Sequence, residues 1–320
     1  MSSCFRIKLP ADNKRRSRDL IVKLSSEDET SRQTGIQQRI YLREVCFYRD
    51  IKSLVTIPTP DCYFADCEPD GANFALLLED LSPAVQGDQM SGCSLSLAAS
   101  AVFALVGLHA PTWRNTQLRE HPVLAVASVD ESNENYRQLF KQLLPAFLDR
   151  YNDQLNDSEK QAFVDVAEAE SFPIGRATTE RHCLVHGDYR LDNLLIEEKT
   201  EPAKTSTAIH VVDWQTISIG NPMIDVAFFL GGSCHPEDRR QSERQIVSGY
   251  HSRMQAAGVV EYNWEDCWQD YRLSSYHGFG TAVLASMLAE RTSRGDELFL
   301  TMARRHAQHA IDLEAAELLN

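Results

Sequence analysis

The sequence predicts an α+β protein in two lobes, a small sheet-plus-helix lobe followed by a larger, mainly helical one. Three observations predict it. The chain has 320 residues, more than one small core needs. Strand-like alternation is confined to the first third and to one patch between 182 and 213. Helical spacing dominates from Ser94 onward. These place the N-terminal lobe at 1–82 and the C-terminal lobe at 83–320.

The elements follow in order. Residues 5–9 and 19–25 read as strands joined by a basic, polar turn. Residues 36–54 read as one helix. TIPTPDCYFAD and NFALLLEDL read as two more strands, the prolines marking the entry. Helices follow at 94–109, 131–151 and 157–169. HCLVH (182–186), NLLIE (193–197) and AIHVVD (208–213) form a strand-rich patch. Four further helices are expected near 222–231, 236–257, 263–290 and 293–319.

The balance of 32 basic and 46 acidic residues gives a net charge of -14. That surface repels phosphate backbones, so nucleic acid is not expected as a partner. The eight cysteines include no C-x-x-C pair, which reads as reduced thiols in a cytoplasmic setting. The longest weakly polar run, 95–110, falls short of the roughly 18 residues of a membrane span. No membrane association is expected.

The stretch LVHGDYRLDNLLIEE (184–198) sets His186, Asp188, Arg190, Asp192 and Asn193 between two short apolar runs. A loop tied down at both ends holds its side chains more firmly than a free one. The next strand, AIHVVD, ends in Asp213. Positions 188, 193 and 213 thus put oxygen ligands at the mouths of neighbouring strands, a donor set suited to Mg²⁺ and a substrate phosphate. Two polar hairpin loops built on turn-forming Asp and Asn are the alternative. Lys23 lies in DLIVKLS, a strand whose other face is Leu20, Val22 and Leu24. Glu44 falls within the apolar stripe Ile40, Phe47, Ile51 of a helix, and its i±3 and i±4 neighbours are not basic. Its cation must come from elsewhere, and Lys23 is the candidate.

This set resembles the catalytic core of the protein-kinase-like fold. HGDYRLDNLL together with VVDWQTISIGNPMIDVAFF is similar to the aminoglycoside phosphotransferase and choline kinase branch, and within it to the ecdysteroid-kinase-like members. The resemblance implies ATP and Mg²⁺ as cofactors and a small hydroxyl-bearing molecule as substrate. It implies that Asp188 accepts the hydroxyl proton, that Arg190 neutralises phosphate oxygens, and that Asn193 and Asp213 hold the metal. Lys23, paired with Glu44, would bind the ATP phosphates. His186 and Asp225 would support the catalytic loop. Asp225 reads equally as an N-terminal dipole partner of its helix, and Arg190 as an ion-pair partner of Asp192. Adenine would meet the backbone near Glu79 and Leu81.

The chain departs from the pattern in two places. No glycine precedes Gly35, so the glycine-rich loop over the phosphates is missing. MSSCFRIKL matches the second strand of that hairpin, leaving only Ser2 and Ser3 from the loop, with Ser3 the nucleotide-site candidate. Either the start is truncated or misassigned, or the small lobe lacks its first strand, which would expose a sheet edge. Second, only eleven residues separate Asp213 from Asp225, too few for a peptide-binding activation segment. For the acceptor, the segment 264–280 offers Asp266, Asp270, Tyr271 and Tyr276, whose acids and aromatics could hold a cation or a ring system. The same letters describe an amphipathic helix with a solvated acidic face. Two other functions compete: a nucleotide-binding module without turnover, and a metal phosphohydrolase using His182, His186, Asp188 and Asp213.

Overall fold

The computed structural model describes residues 2–10, 18–125, 129–170, 172–174, 180–201 and 204–319. The small lobe is built on four antiparallel strands, β1 (Ser2–Leu9), β2 (Arg18–Ser25), β3 (Cys62–Cys67) and β4 (Phe74–Glu79), in the order β1-β2-β4-β3. Cys4 lies opposite Lys23, and Lys23 opposite Leu76. Those three residues therefore share one face of the sheet.

Helices cover that face. The single helix expected at 36–54 is instead divided. Helix α1 (Glu29–Gln37) is capped by Asp28, which accepts from Ser31 N. Arg39 then adopts φ 56°, which a helix cannot continue through, and α2 (Ile40–Cys46) begins. A π-helical turn, Phe47–Ile51, extends α2. It lays Phe47 on Trp214, ring centroids 3.6 Å apart and nearly parallel. Tyr41 stacks on Phe74 at 4.5 Å and ties α2 to β4. The two stacks fix where Glu44, on the same helix, can point.

The larger lobe starts with a short strand, β5 (Val85–Gln86), and the helices α3 (Leu95–Ala104), α4 (Val106–His109), α5 (Thr116–Arg119), α6 (Val129–Arg150) and α7 (Asp157–Glu168). Then come β6 (Cys183–Val185), β7 (Leu194–Glu201), β8 (Lys204–Val211) and β9 (Ser218–Gly220). The strand patch expected at 182–213 splits in two. β7 and β8 form a hairpin that β5 joins, whereas β6 pairs with β9. The helices α8 (Met223–Ser233), α9 (Pro236–Ala256), α10 (Trp264–Ser274), α11 (His277–Gly280), α12 (Ser286–Leu288) and α13 (Ser293–Asp312) complete the lobe. The helix expected at 263–290 is interrupted after Ser274 and passes through a π-helical turn at Thr281–Ala285. Helix α8 is buried along its whole length, as its apolar sequence requires. No helix among the described residues is long and apolar enough to cross a membrane.

Candidate active site

The catalytic-loop candidate leaves β6 at His186. Gly187 has φ +80°, and a Cβ there would stand 2.7 Å from the Thr216 carbonyl oxygen, so only glycine fits the turn. The fully buried Asp225 carboxylate accepts two successive backbone N–H groups, His186 at 2.7 Å and Gly187 at 2.8 Å. Burial opposes ionisation of Asp225, but its bonds with His109 and the His186 backbone, with the charges of those histidines, hold its pKa below the usual value. Asp225 thus grips the loop backbone from the first turn of α8. His186 itself reaches the Val212 carbonyl through Nε2 at 3.1 Å, joining the loop to the segment that carries Asp213.

Asp188 follows, with a side chain 26% exposed. Asn193 donates its amide N–H groups to the Asp188 carbonyl oxygen at 2.8 Å and to its Oδ2 at 2.9 Å. Both amide hydrogens are then engaged, and the Asn193 amide oxygen is the atom a cation would meet. Arg190 forks between two carboxylates, reaching Asp188 at 3.1 Å and Asp192 at 2.8 Å. The ion pair with Asp192 is therefore present alongside a contact with Asp188. Val212 N–H donates to the Asn193 carbonyl at 3.0 Å, which brings Asn193 and Asp213 to the same end of the β7–β8 ladder.

Asp213 has φ 66°, an uncommon backbone conformation for a residue other than glycine. Its Oδ1 accepts from Lys23 Nζ at 3.0 Å. Lys23 donates also to Glu44 Oε1 at 2.7 Å, and Gln215 Nε2 donates to Glu44 Oε2 at 3.1 Å. Burial would lower the Lys23 pKa, but the Glu44 and Asp213 charges outweigh it and raise it, so the ammonium stays charged. Lys23, Glu44 and Asp213 thus form one bonded group, spanning 190 residues of chain, and Asp188 and Asn193 form a second; the Val212–Asn193 backbone bond links the two.

Several sequence expectations need correction. Ser3 lies opposite Leu24, one position out of phase with Cys4 and Lys23, so it faces away from the crevice. Ser2 takes the inward place, its Oγ 3.4 Å from Gln215 Nε2. Glu79 and Leu81 are not among these corrections: they lie where β4 leaves the small lobe, with part of their backbone bonded within the protein. Glu79 N–H bonds the Asp61 carbonyl at 2.8 Å, and Ala84 N–H bonds the Leu81 carbonyl at 2.9 Å. The acceptor residues expected in 264–280 are not at the crevice. Asp270 is buried and takes bonds from Arg181 at 2.7 and 2.8 Å, Asn221 at 2.7 Å and Tyr262 at 3.0 Å. Tyr271 is fully buried, with its hydroxyl on Glu243 and His309. Tyr276 packs on Phe279, and Asp266 pairs with Arg181 at the surface.

The open space beside Asp188 is a cleft of about 320 Å³. Asp188 and Arg190 form one wall; Thr281, Leu298, Phe299 and Met302 form the other. Sequence reasoning missed these four. Leu298, Phe299 and Met302 give as local signal only an apolar run early in the amphipathic α13, and Thr281, in the π-helical turn, gives none. Two histidines also gain a place at the site. His109 Nε2 lies 3.2 Å from the Asp225 carboxylate, and its Nδ1 lies 2.7 Å from the Tyr250 hydroxyl. His277 Nε2 donates to the Gly187 carbonyl at 3.1 Å.

A strand lysine paired with a helix glutamate and bonded to a second aspartate, together with an HGD loop, is the arrangement of the kinase-like phosphotransferase folds. The chain matches the ecdysteroid kinase-like family over residues 1–258 and belongs to that family. It is similar in fold to a candidate aminoglycoside phosphotransferase of Ralstonia eutropha JMP134. There the TM-score is 0.50 at 13% identity, covering 99% of this chain and 94% of the other. An ethanolamine kinase of Plasmodium vivax superposes with TM-score 0.49 at 13% identity, covering 96% of this chain and 81% of that one. A stretch of 57 residues is 40% identical to acyl-CoA dehydrogenase family member 10 of Mus musculus; it spans 18% of this chain and 5% of that protein.

Proposed function

We propose that the protein transfers the γ-phosphoryl group of ATP to a hydroxyl of a small, uncharged and largely apolar molecule. The observation that carries this reading is the bonding of Lys23 to Glu44 and Asp213 within 3.0 Å, with the Asp188–Asn193 pair joined to Asp213's segment by the Val212–Asn193 backbone bond. Lys23, kept charged by two carboxylates, would hold the ATP phosphates as a fixed positive point. Asp213, with a side chain 41% exposed, has a second oxygen to offer a cation. With the Asn193 amide oxygen it makes the hard donor set that Mg²⁺ takes, so the residues fit that metal. Bound there, Mg²⁺ would neutralise charge on the transferring phosphate. Asp188 would orient the acceptor hydroxyl and take its proton late. Positioning and charge neutralisation carry most of the rate in a loose transition state. Arg190 already contacts Asp188, and would have to release it to meet a phosphate oxygen.

The wall facing Asp188 supports the acceptor class. Leu298, Phe299 and Met302 offer dispersion contact and no charge, and Thr281 offers one hydroxyl. A polycationic acceptor would find on that wall no acid to pair with.

The reading is tested with Mg·ATP and a panel of aminoglycosides, choline-like amines, hydroxysteroids and other apolar alcohols, following phosphate onto the acceptor by mass. Phosphorylation of an apolar alcohol is the expected result. Phosphorylation of the amines alone would overturn the acceptor class and leave the kinase reading standing. Nucleotide binding without turnover on any acceptor would favour a binding module. Phosphate release from a monoester without ATP would favour a hydrolase.

A further inference from the structure

Beside the catalytic loop, and unused by the proposed reaction, two cysteines meet. Cys93 precedes α3, and Cys234 follows the last residue of α8. Cys93 N–H donates to the Ser233 carbonyl at 2.9 Å, which fixes the two backbones side by side. The approach depends on Gly92, at φ +73°, where a Cβ would stand 3.0 Å from that same carbonyl oxygen. Cys234, the next residue after Ser233, is thereby set beside Cys93. Cys93 is partly exposed and Cys234 is buried. Arg305 stands against the pair, its guanidinium held by the carbonyls of Gln89, Met90 and Gly232 at 2.8 to 2.9 Å.

We propose that Cys93 and Cys234 form an oxidative modification site, which a hydroperoxide converts to a disulfide. The roles follow from exposure. Cys93 is the sulfur that a peroxide can reach, and Cys234 is the resolving thiol behind it. The neighbouring Cys234 thiol holds Cys93 below the usual thiol range; burial opposes this, and the Arg305 charge adds to it. Cys234 is raised by the neighbouring Cys93 and by burial. Attack by the Cys93 thiolate on a peroxide oxygen forms the S–O bond and breaks the O–O bond, and water or an alcohol leaves. Cys234 then gives up its proton and attacks the Cys93 sulfur. The S–S bond forms, the S–O bond breaks, and water leaves. Two thiols lose two electrons and the peroxide gains them.

The link would join two supports of the catalytic loop. Gln89, four residues before Cys93, accepts from Leu191 N–H at 2.9 Å and from Ser233 Oγ at 3.2 Å. Its own N–H donates to Asp192 at 3.1 Å. Helix α8, which ends at Ser233, carries Asp225 at its other end. Cross-linking this loop to that helix constrains the unfolded chain and raises the melting temperature.

The test treats the full chain with hydrogen peroxide, alkylates it, and maps the peptides by tandem mass spectrometry without reduction. The expected product is a Cys93–Cys234 linked pair that dithiothreitol reverses, with a higher melting temperature before reversal. In Cys234→Ser, peroxide should leave Cys93 as a sulfenic acid that dimedone traps. In Cys93→Ser, Cys234 should remain a thiol. Recovery of both cysteines as alkylated thiols, while the more exposed Cys4 is oxidised, would overturn the proposal. So would a disulfide that pairs Cys93 with any other cysteine. Neither readout depends on turnover, so a failure here leaves the kinase reading untouched, and the reverse holds.

Discussion

Asp213 and Asp270 each accept a strong bond from a basic side chain, yet their surroundings differ. Asp270 is 6% exposed, and both its oxygens are occupied by Arg181, Asn221 and Tyr262. Asp213 gives one oxygen to Lys23 and keeps a side chain 41% exposed at the crevice, on a backbone with positive φ. A saturated carboxylate has no capacity left for a ligand and serves the fold. An unsaturated one, held in place by strain and a neighbouring charge, is the kind that meets a metal or substrate. Asp188 belongs with Asp213, being positioned by Asn193 and Arg190 and still partly open.

The largest expected effect tests the unsaturated side of that comparison. Asp188→Asn should lower turnover by roughly 10³-fold, the scale of a lost general base, while nucleotide affinity and melting temperature stay near those of the parent. Steady-state ADP release and a thermal scan check both halves. Asp270→Ala should do the reverse. It removes the bidentate partner of Arg181 and the acceptor of Asn221 and Tyr262, so it should cost about 3 kcal/mol of stability in urea unfolding, with nucleotide affinity unchanged. A variant that unfolds no more easily would show that the cluster is not structural.

A smaller effect is expected from the cleft wall. Phe299→Asp should raise the KM for an apolar alcohol several-fold and leave the KM for ATP alone, because Phe299 lines only the acceptor side. Equal changes in both would remove it from the acceptor site.

The smallest effect is in acid. Burial opposes ionisation of Glu243, but its bond from His309 and the Arg239 charge outweigh that and bring its carboxyl from 4.5 down to about 2. A depressed folded pKa contributes stability that is full above about 4.5 and is lost as the pH falls toward 2. Glu243→Gln should therefore flatten the decline in stability between pH 5 and 3 in urea titrations. An unchanged slope would exclude Glu243 as a source of it.

The sequence was most legible where the site is local. Asp188, Arg190 and Asn193 share one short loop between apolar runs, and Lys23 and Glu44 each stand out against an apolar stripe. What escaped was set by distance or by phase. Nothing in 264–280 shows that Asp270 is saturated, because Arg181 and Asn221 arrive from 89 and 49 residues away. The acceptor wall on α13 faces Asp188 only through packing of the whole lobe. Ser3 was misplaced because a strand alternates every residue, and a slip of one position reverses the face. The helix expected at 36–54 is divided because Arg39 takes a left-handed conformation, a cost its letters do not announce. The π-helical turn carries Phe47 onto Trp214, a partner more than 160 residues downstream that its own letters do not name.

The central claim is that Lys23, Asn193 and Asp213 together grip a metal-bound triphosphate. Calorimetric titration of ATP into the protein, with Mg²⁺ and then with chelator, tests it most directly when repeated on Asp213→Asn. The account predicts binding that requires the metal in the parent chain and falls at least tenfold in the variant, with the melting temperature unchanged. Equal affinity in parent and variant, or binding indifferent to chelator, would contradict it.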